Sequence, residues 1–105
     1  MDSTIVNTAS LKENLFRVCG IDLNYQRLYL LYRGSSHGFK AADFHNRCDN
    51  IPRTLTIVKS NKGNIFGGYE EVTWDTYNGW KRDKNAYLFS LVNRKNMPMK
   101  VNVAN

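Results

Sequence analysis

The chain has 105 residues, 42% of them hydrophobic, and a formal net charge of +6 at pH 7, which suits one small folded domain rather than a disordered chain. No apolar run reaches the ~18 residues of a membrane helix, and the N-terminus lacks the basic region of a signal peptide, so we expect no membrane insertion and a cytoplasmic location. The positive charge is scattered rather than gathered into a run of about five like charges, so we expect no nucleic-acid partner.

The first predicted element is a helix that begins at Ser10. Ser10 and Glu13 have the spacing of a capping box, in which each side chain satisfies a free backbone N–H group of the first turn. Gly20 is in a position to end the helix. The apolar residues between these points fall on one helix face, which predicts packing on a core: Leu11, Leu15, Val18 and Cys19.

Residues 27–33 read RLYLLYR and are apolar at nearly every position. Such a run predicts a central strand that is covered on both faces. The loop that follows holds two serines and a histidine between Gly34 and Gly38. This pattern predicts a tight connection, an elbow, between the strand and the next element.

A short second helix is expected over residues 40–48. Ala41, Phe44 and Cys48 fall at helical spacing and form a narrow apolar stripe. Lys40 stands near its start, where Ser, Thr or Asp is a better cap.

The strongest hairpin signal lies in residues 54–70. Leucine and isoleucine alternate with threonine and valine, as a sheet with two different faces requires. The turn SNKGN contains Gly63, which is free to adopt a positive φ. Gly67 and Gly68 in the returning strand predict a bulge or a place where a side chain packs on bare backbone.

Residues 73–85 predict a polar loop, 86–93 a further strand and 99–103 a last one. The sum is an α+β domain with an antiparallel sheet of four or five strands and two short helices. The residues expected to be buried lie on these helices and strands: Phe44, Leu55, Ile57, Phe66, Phe89 and Leu91.

No pattern of catalytic or ligand-binding residues stands out. Ser35 or Ser36 with His37 or His45 is a serine-hydrolase alternative, but no orienting acid or G-x-S-x-G motif accompanies it. His45 and Cys48 form one short-spaced pair, whereas a structural zinc site needs two. The glycines of KGNIFGGY lack the order of a phosphate-binding loop. We therefore expect no enzyme activity, no cofactor and no metal.

The two cysteines are few for a secreted domain, in which four or more are usual. Cys19 and Cys48 are expected to be buried thiols, with a disulfide between them as the minor alternative.

The motifs taken together resemble the TLDc domain. LLYRGSSHGFKAADFHNRCDN, TLTIVKS, GNIFGGY and AYLFSLVN occur in the order and spacing of that family, and the resemblance is strongest over residues 27–92. In the family these stretches commonly read as an L-L-Y-R-G-S-x-D-G-F elbow, a D-F-H helix ending in C-D-N, a G-P-T-L strand, and an F-G-G-Y strand followed by tryptophan.

Three features depart from that pattern. His37 stands where the family often has aspartate, which predicts the loss of an acceptor from the elbow. Arg53 is inserted between Pro52 and Thr54. The family's domain also continues into a glycine-rich segment and closing strands. Residues 1–105 are therefore expected to form one truncated TLDc-like domain, an incomplete β-sandwich.

The resemblance implies a non-catalytic protein-interaction module, with roles in oxidative-stress protection and in binding and regulating the vacuolar proton-pumping ATPase. An accessory N-terminal region of an interferon-induced-44-like GTPase or an adaptor is the alternative. Open sheet edges predict self-association as well. The motif residues that the resemblance singles out are Arg33, Gly34, Gly38, Phe39, Phe44, Cys48, Thr54, Phe66, Gly67, Gly68, Trp74 and Phe89.

Overall fold

The computed structural model describes residues 1–73, 83 and 85–102, and in this part of the chain the fold is α+β, as predicted. No helix there is long and apolar enough to cross a membrane. The helices are α1 (Ala9–Cys19), α2 (Gly34–His37) and α3 (Ala41–Cys48). The strands are β1 (Thr54–Lys59), β2 (Ile65–Glu70), β3 (Tyr87–Val92) and β4 (Met99–Asn102).

Helix α1 begins one residue before the predicted start and is capped differently. The Thr8 hydroxyl oxygen accepts a hydrogen bond from the Leu11 N–H at 3.1 Å, and Thr8 has an extended backbone with φ −112°. Ser10 already lies inside the helix, so the capping box predicted for Ser10 and Glu13 is wrong. Gly20 ends the helix as expected, with φ +67° and its N–H donated to the Phe16 carbonyl.

The central strand predicted for residues 27–33 is not formed. These residues have no regular secondary structure, and the side chains of Tyr29 and Leu30 are 81% and 47% exposed. A strand is stable only where a neighbouring strand takes up its backbone hydrogen bonds. None of the described strands pairs with this segment, so its apolar composition alone does not order it as a strand.

The four strands form one antiparallel sheet in the order β1-β2-β3-β4. The predicted hairpin is confirmed: β1 and β2 are joined by a tight turn in which the Gly63 N–H donates to the Ser60 carbonyl at 3.0 Å. Gly63 has φ +85°, a conformation that glycine adopts without strain. The register shifts between Ile65 and Phe66, so the irregularity lies just before the predicted site at the two glycines.

One face of the sheet packs against α1 and the N-terminal segment and forms the core. Phe89 and Leu91 are buried there, as predicted, and so are Ile65 and Tyr87, which the sequence did not single out. Leu55 and Ile57 are half-buried against this cluster, and Phe44 is half-buried on α3. The prediction for Phe66 is wrong: it is 43% exposed. Phe66 pairs with Val58 across β1 and β2, on the face opposite to the core.

The carboxylate of Asp83 forms hydrogen bonds with residues that follow β2 and with a residue that precedes β3. Its Oδ2 accepts hydrogen bonds from the N–H groups of Glu71 (2.7 Å) and Val72 (3.1 Å), and its Oδ1 accepts from Asn85 at 3.1 Å. Burial raises the pKa of Asp83, but backbone hydrogen bonds from Val72, Glu71, Asn85 and Ala86 outweigh it and hold the pKa below its ordinary value. The folded state therefore favours the ionised carboxylate.

Candidate functional site

The elbow predicted after residue 33 is a closed turn built around α2. The Arg33 backbone N–H donates to His37 Nδ1 at 2.8 Å, and the Tyr32 hydroxyl donates to the Gly38 carbonyl. Because a backbone N–H is the donor, Nδ1 is the unprotonated nitrogen of this imidazole. His37 thus supplies an acceptor, and the expected loss of the elbow acceptor at this position is wrong.

The two elbow glycines allow close approaches that a side chain would block. A Cβ on Gly34 would lie 2.6 Å from the Phe39 ring. Gly38 has φ +107°, and a Cβ there would collide with the Asp43 carboxylate. That carboxylate is needed where it is, because Asp43 Oδ2 accepts from the Lys40 N–H at 3.1 Å at the start of α3. Both glycines are therefore explained by the geometry of the turn.

Arg33 and Phe39 differ in their surroundings. Arg33 forms an ion pair with Asp2, with 2.8 Å between Nη2 and Oδ1, which joins the elbow to the N-terminal segment. Phe39 is 85% exposed. Arg33 thus lies in a structural ion pair at the surface rather than in a pocket.

Helix α3 is held to the elbow by aromatic contacts. The Phe44 ring meets the Tyr32 ring edge to face, with 5.5 Å between centroids. On the same helix, His45 Nδ1 lies 2.7 Å from Asp49 Oδ1. Ser35 and Ser36 are exposed, and within the described residues their hydroxyls form no hydrogen bond with His37 or His45, whose Nδ1 atoms contact the Arg33 N–H and Asp49. The serines and histidines are therefore not paired as nucleophile and base in the described structure.

Both cysteines are buried free thiols, as predicted. Burial raises the pKa of the Cys19 thiol, although a hydrogen bond with Tyr87 opposes it. Burial and the neighbouring Asp49 carboxylate raise the pKa of Cys48. Because the thiolate is the reactive form, neither cysteine has the environment of a nucleophile or of a redox sensor.

The motif residues of the sheet form a separate group. Thr54 is buried at the start of β1, and Gly67 lies under the ring of Phe89, where a Cβ would come 2.7 Å from Cζ. Gly68 is less crowded, with its closest approach, to Leu88 Cδ2, at 3.2 Å. Trp74 lies outside the described residues.

The structure does not bring the elbow motifs and the sheet motifs into one site. Among the described elements, α2 and α3 contact each other, whereas α1 packs on β3 and β4. The family motifs thus occupy two places, a surface elbow and the middle of the sheet, and at both they support backbone geometry.

The feature that sequence reasoning missed is the second face of the sheet, here called the outer face and defined by Val58, Phe66, Leu88 and Val101. These side chains are 40%, 43%, 58% and 59% exposed, respectively. The register places them on neighbouring strands, with Val58 opposite Phe66 and Leu88 opposite Val101. The sequence of β3 contains a sign of this second apolar face, because apolar residues occupy both alternating sets of positions along the strand.

Known proteins resemble this chain in sequence. A sequence profile described as the TLDc domain matches residues 1–105. Human "Interferon-induced protein 44" is 43% identical over 49 residues, which are 47% of this chain and 11% of that protein. "MTOR-associated protein MEAK7" of Danio rerio is 29% identical over 62 residues, 59% of this chain and 14% of that protein. No solved structure matches the chain. The chain thus spans about a tenth to a seventh of the length of these relatives.

Proposed function

The chain belongs to the TLDc domain family, whose domains are protein-interaction modules, and we propose that it acts as such a module in the protection of cells against oxidative damage. We further propose a cytoplasmic location and subunits of the vacuolar proton-pumping ATPase as the partner. The observation that carries the proposal is the match of the family profile to residues 1–105.

The exposed apolar residues of the described structure support an interaction role. Soluble monomers rarely expose large contiguous apolar patches, and such patches commonly mark contacts with other proteins. Four large apolar side chains on the outer face are at least 40% exposed. A partner that covered them would gain hydrophobic free energy of about 25 cal/mol for each Å² removed from water.

We propose that the module does no chemistry of its own, because TLDc domains are generally non-catalytic. In the described residues the two histidines are engaged with Arg33 and Asp49. Both thiols are buried, and burial raises their pKa values, which disfavours the reactive thiolate. We therefore propose that oxidative protection runs through a bound partner rather than through thiol oxidation. A serine-hydrolase probe that labelled the folded protein at Ser35 or Ser36 would contradict this part of the proposal.

The proposal is tested with the full-length protein in which residues 1–105 occur. The purified protein is expected to retain subunits of the vacuolar proton pump, and deletion of its gene is expected to lower survival in peroxide. The Cys19→Ser/Cys48→Ser variant serves as the control that separates the two routes. It is expected to restore survival as the natural protein does, whereas loss of protection with retained folding would make a thiol the active group. Absence of both binding and protection would refute the proposed function.

A second function is favoured by the similarity to "Interferon-induced protein 44", which reaches 43% identity over 49 residues. In that case the chain would be an accessory region of a protein of that kind. The deciding observation is whether a GTPase region adjoins residues 1–105 in the full-length protein. A nucleotide turnover that changes on removal of residues 1–105 would favour the accessory role.

A further inference from the structure

The two histidines of the chain use the same ring nitrogen in opposite ways. His37 Nδ1 accepts a hydrogen bond from the Arg33 backbone N–H at 2.8 Å, so the proton of the neutral ring is on Nε2. His45 Nδ1 lies 2.7 Å from Asp49 Oδ1, and because an ionised carboxylate only accepts, this Nδ1 carries the proton. A further proton therefore has a different effect on each of the two rings.

At His37 a further proton would break the hydrogen bond that closes the elbow. It would be added to Nδ1, and two N–H donors would then face each other where the Arg33 N–H now donates at 2.8 Å. The ring can leave this position for water, because His37 is only half-buried. The neighbouring Tyr32 ring, with 6.0 Å between the two centroids, offers no replacement, since its hydroxyl donates to the Gly38 carbonyl. The closed elbow thus has a place only for the neutral imidazole.

At His45 the same proton would strengthen the local structure. It would be added to Nε2 and would convert the contact between His45 and Asp49 into a charged pair. His45 also lies in the last turn of α3, where the helix dipole favours a positive charge. Acid therefore acts against the elbow but not against the helix that follows it.

The charged groups around the elbow do not offer a protonated His37 a partner. The Arg33 guanidinium is paired with Asp2 of the N-terminal segment at 2.8 Å. On α3, Asp43 Oδ2 accepts from the Lys40 N–H at 3.1 Å, and in the part of the chain that the structure describes no carboxylate forms an ion pair with His37. The two cations nearest along the chain, Arg33 and Lys40, oppose a further positive charge on the ring.

We propose that His37 is an acid-sensitive latch of the elbow: its neutral ring holds the turn from Arg33 to Gly38 closed, and the uptake of one proton opens the turn while α3 stays folded. This goes beyond the proposed function and does not depend on it. Histidine side chains ordinarily gain a proton near pH 6.5, so the change falls close to neutral pH. Because one proton is taken up on opening, the open population rises by up to about tenfold for each pH unit below that value.

The first test reads the tautomers in the full-length protein in which residues 1–105 occur. The histidines are labelled with ¹⁵N, and the chemical shifts of the ring nitrogens are recorded by NMR at about pH 7.5. The signals of His37 are those that disappear in the His37→Asn variant. We expect the Nε2–H tautomer for His37 and the Nδ1–H tautomer for His45.

The second test measures opening by hydrogen exchange of the Arg33 amide. Its protection factor, which corrects for the intrinsic effect of pH on exchange, is expected to fall roughly tenfold between pH 7.5 and pH 5.5. The Gly63 amide is the internal control. It donates to the Ser60 carbonyl at 3.0 Å in the β1–β2 turn, which contains no histidine, so its protection factor should stay the same.

Matched variants assign the effect to the Nδ1 atom of His37. Asparagine and aspartate both have an oxygen bonded to Cγ, as Nδ1 is, and neither gains a proton in this pH range. His37→Asn and His37→Asp are therefore expected to keep the Arg33 amide protected at both pH values, whereas His37→Phe, which has no acceptor, should leave it unprotected at both. His45→Gln should keep the pH dependence of the natural protein.

Four results would overturn the inference. They are an Nδ1–H tautomer for His37, equal protection of the Arg33 amide at the two pH values in the natural protein, a pH dependence that survives in both His37→Asn and His37→Asp, and a pH dependence that disappears in His45→Gln. Loss of protection at Gly63 together with Arg33 would also reject the latch, because acid would then unfold the domain as a whole. If both acceptor variants fail to fold, the tautomer and the exchange of the natural protein and of His45→Gln still decide.

Discussion

Replacing Gly67 by alanine tests the packing at the centre of the sheet. A Cβ built on Gly67 lies much closer to the Thr56 carbonyl oxygen on β1 than van der Waals contact allows, and 2.7 Å from Phe89 Cζ on β3. The aromatic ring can rotate, but the carbonyl belongs to a backbone that is fixed by the β1–β2 ladder. The substitution must therefore displace one strand against the other.

The expected cost lies at the upper end of the range for overpacked sites, about 3 kcal/mol in the free energy of unfolding. For a domain of this size each kcal/mol lowers the Tm by about 4–8 °C, so a decrease of roughly 12–24 °C is expected. Gly68→Ala is the matched control, because its nearest contacts are 3.2 Å to Leu88 Cδ2 and 3.3 Å to the Tyr87 carbonyl oxygen. Alanine there also reduces the entropy of the unfolded chain, by about 0.4–1 kcal/mol, so its net effect should be close to zero.

Thermal and urea unfolding, followed by circular dichroism, measure both variants. Comparison of the Gly67→Ala/Phe89→Leu double variant with Phe89→Leu alone separates the two contacts. Phe89→Leu relieves the contact with the ring but not the contact with the carbonyl, so Gly67→Ala should cost less in this background but still lower the stability. Equal stability of the Gly67 and Gly68 variants would show that β1 and β2 are not paired in this register. If Gly67→Ala cost nothing in the Phe89→Leu background, the backbone contact with Thr56 would carry no cost.

Three further predictions follow from the core, the loop carboxylate and the elbow. Phe89→Ala, which removes a side chain that is 3% exposed, is expected to cost about 3–5 kcal/mol in urea unfolding, and a loss below about 1 kcal/mol would refute the core assignment. The pKa of Asp83 is lowered in the folded state, so the carboxylate stabilises the fold fully above its ordinary pKa of 3.8, and this stabilisation is lost as the pH falls through the folded pKa. Asp83→Asn should therefore lower the free energy of unfolding at pH 7 and weaken its decrease at acidic pH. An unchanged decrease at acidic pH would contradict this. Gly38→Ala should lower the melting temperature more than Gly20→Ala does, because both glycines have positive φ but only Gly38 also lies against the Asp43 carboxylate. Equal melting temperatures of the two variants would show that the contact with Asp43 carries no cost.

The parts of the fold that were predictable from the sequence are those encoded by nearby residues. The hairpin of β1 and β2 has alternating apolar residues and a glycine turn within a short stretch, and α1 has its apolar stripe and Gly20. Such patterns depend only on residues within one helical turn or one pair of adjacent strands. The cap of α1 was misplaced because Thr8 and Ser10 are both good caps, and only the extended backbone at Thr8 decides between them.

The errors in the sheet arise where a choice depends on distant residues. Ile65 and Phe66 are adjacent and both apolar, so the pattern does not say which side chain faces the core. The choice is made by the register with β1 and β3, which places Ile65 in the core and Phe66 on the outer face. The elbow histidine is a different case, because its acceptor role follows from the geometry of α2 rather than from its chemical type alone.

The described residues leave two apolar patterns uncovered, and burial on both faces was expected for the first of them, residues 27–33. Residues 27–33 are apolar at five of seven positions, yet Tyr29 and Leu30 are exposed, and β3 has apolar residues on both faces although only one of them meets the core. A run that is apolar on both faces indicates that both faces are buried, but it does not identify the elements that cover them. In β3 that information comes from α1 and the N-terminal segment, which cover the face that carries Phe89 and Leu91.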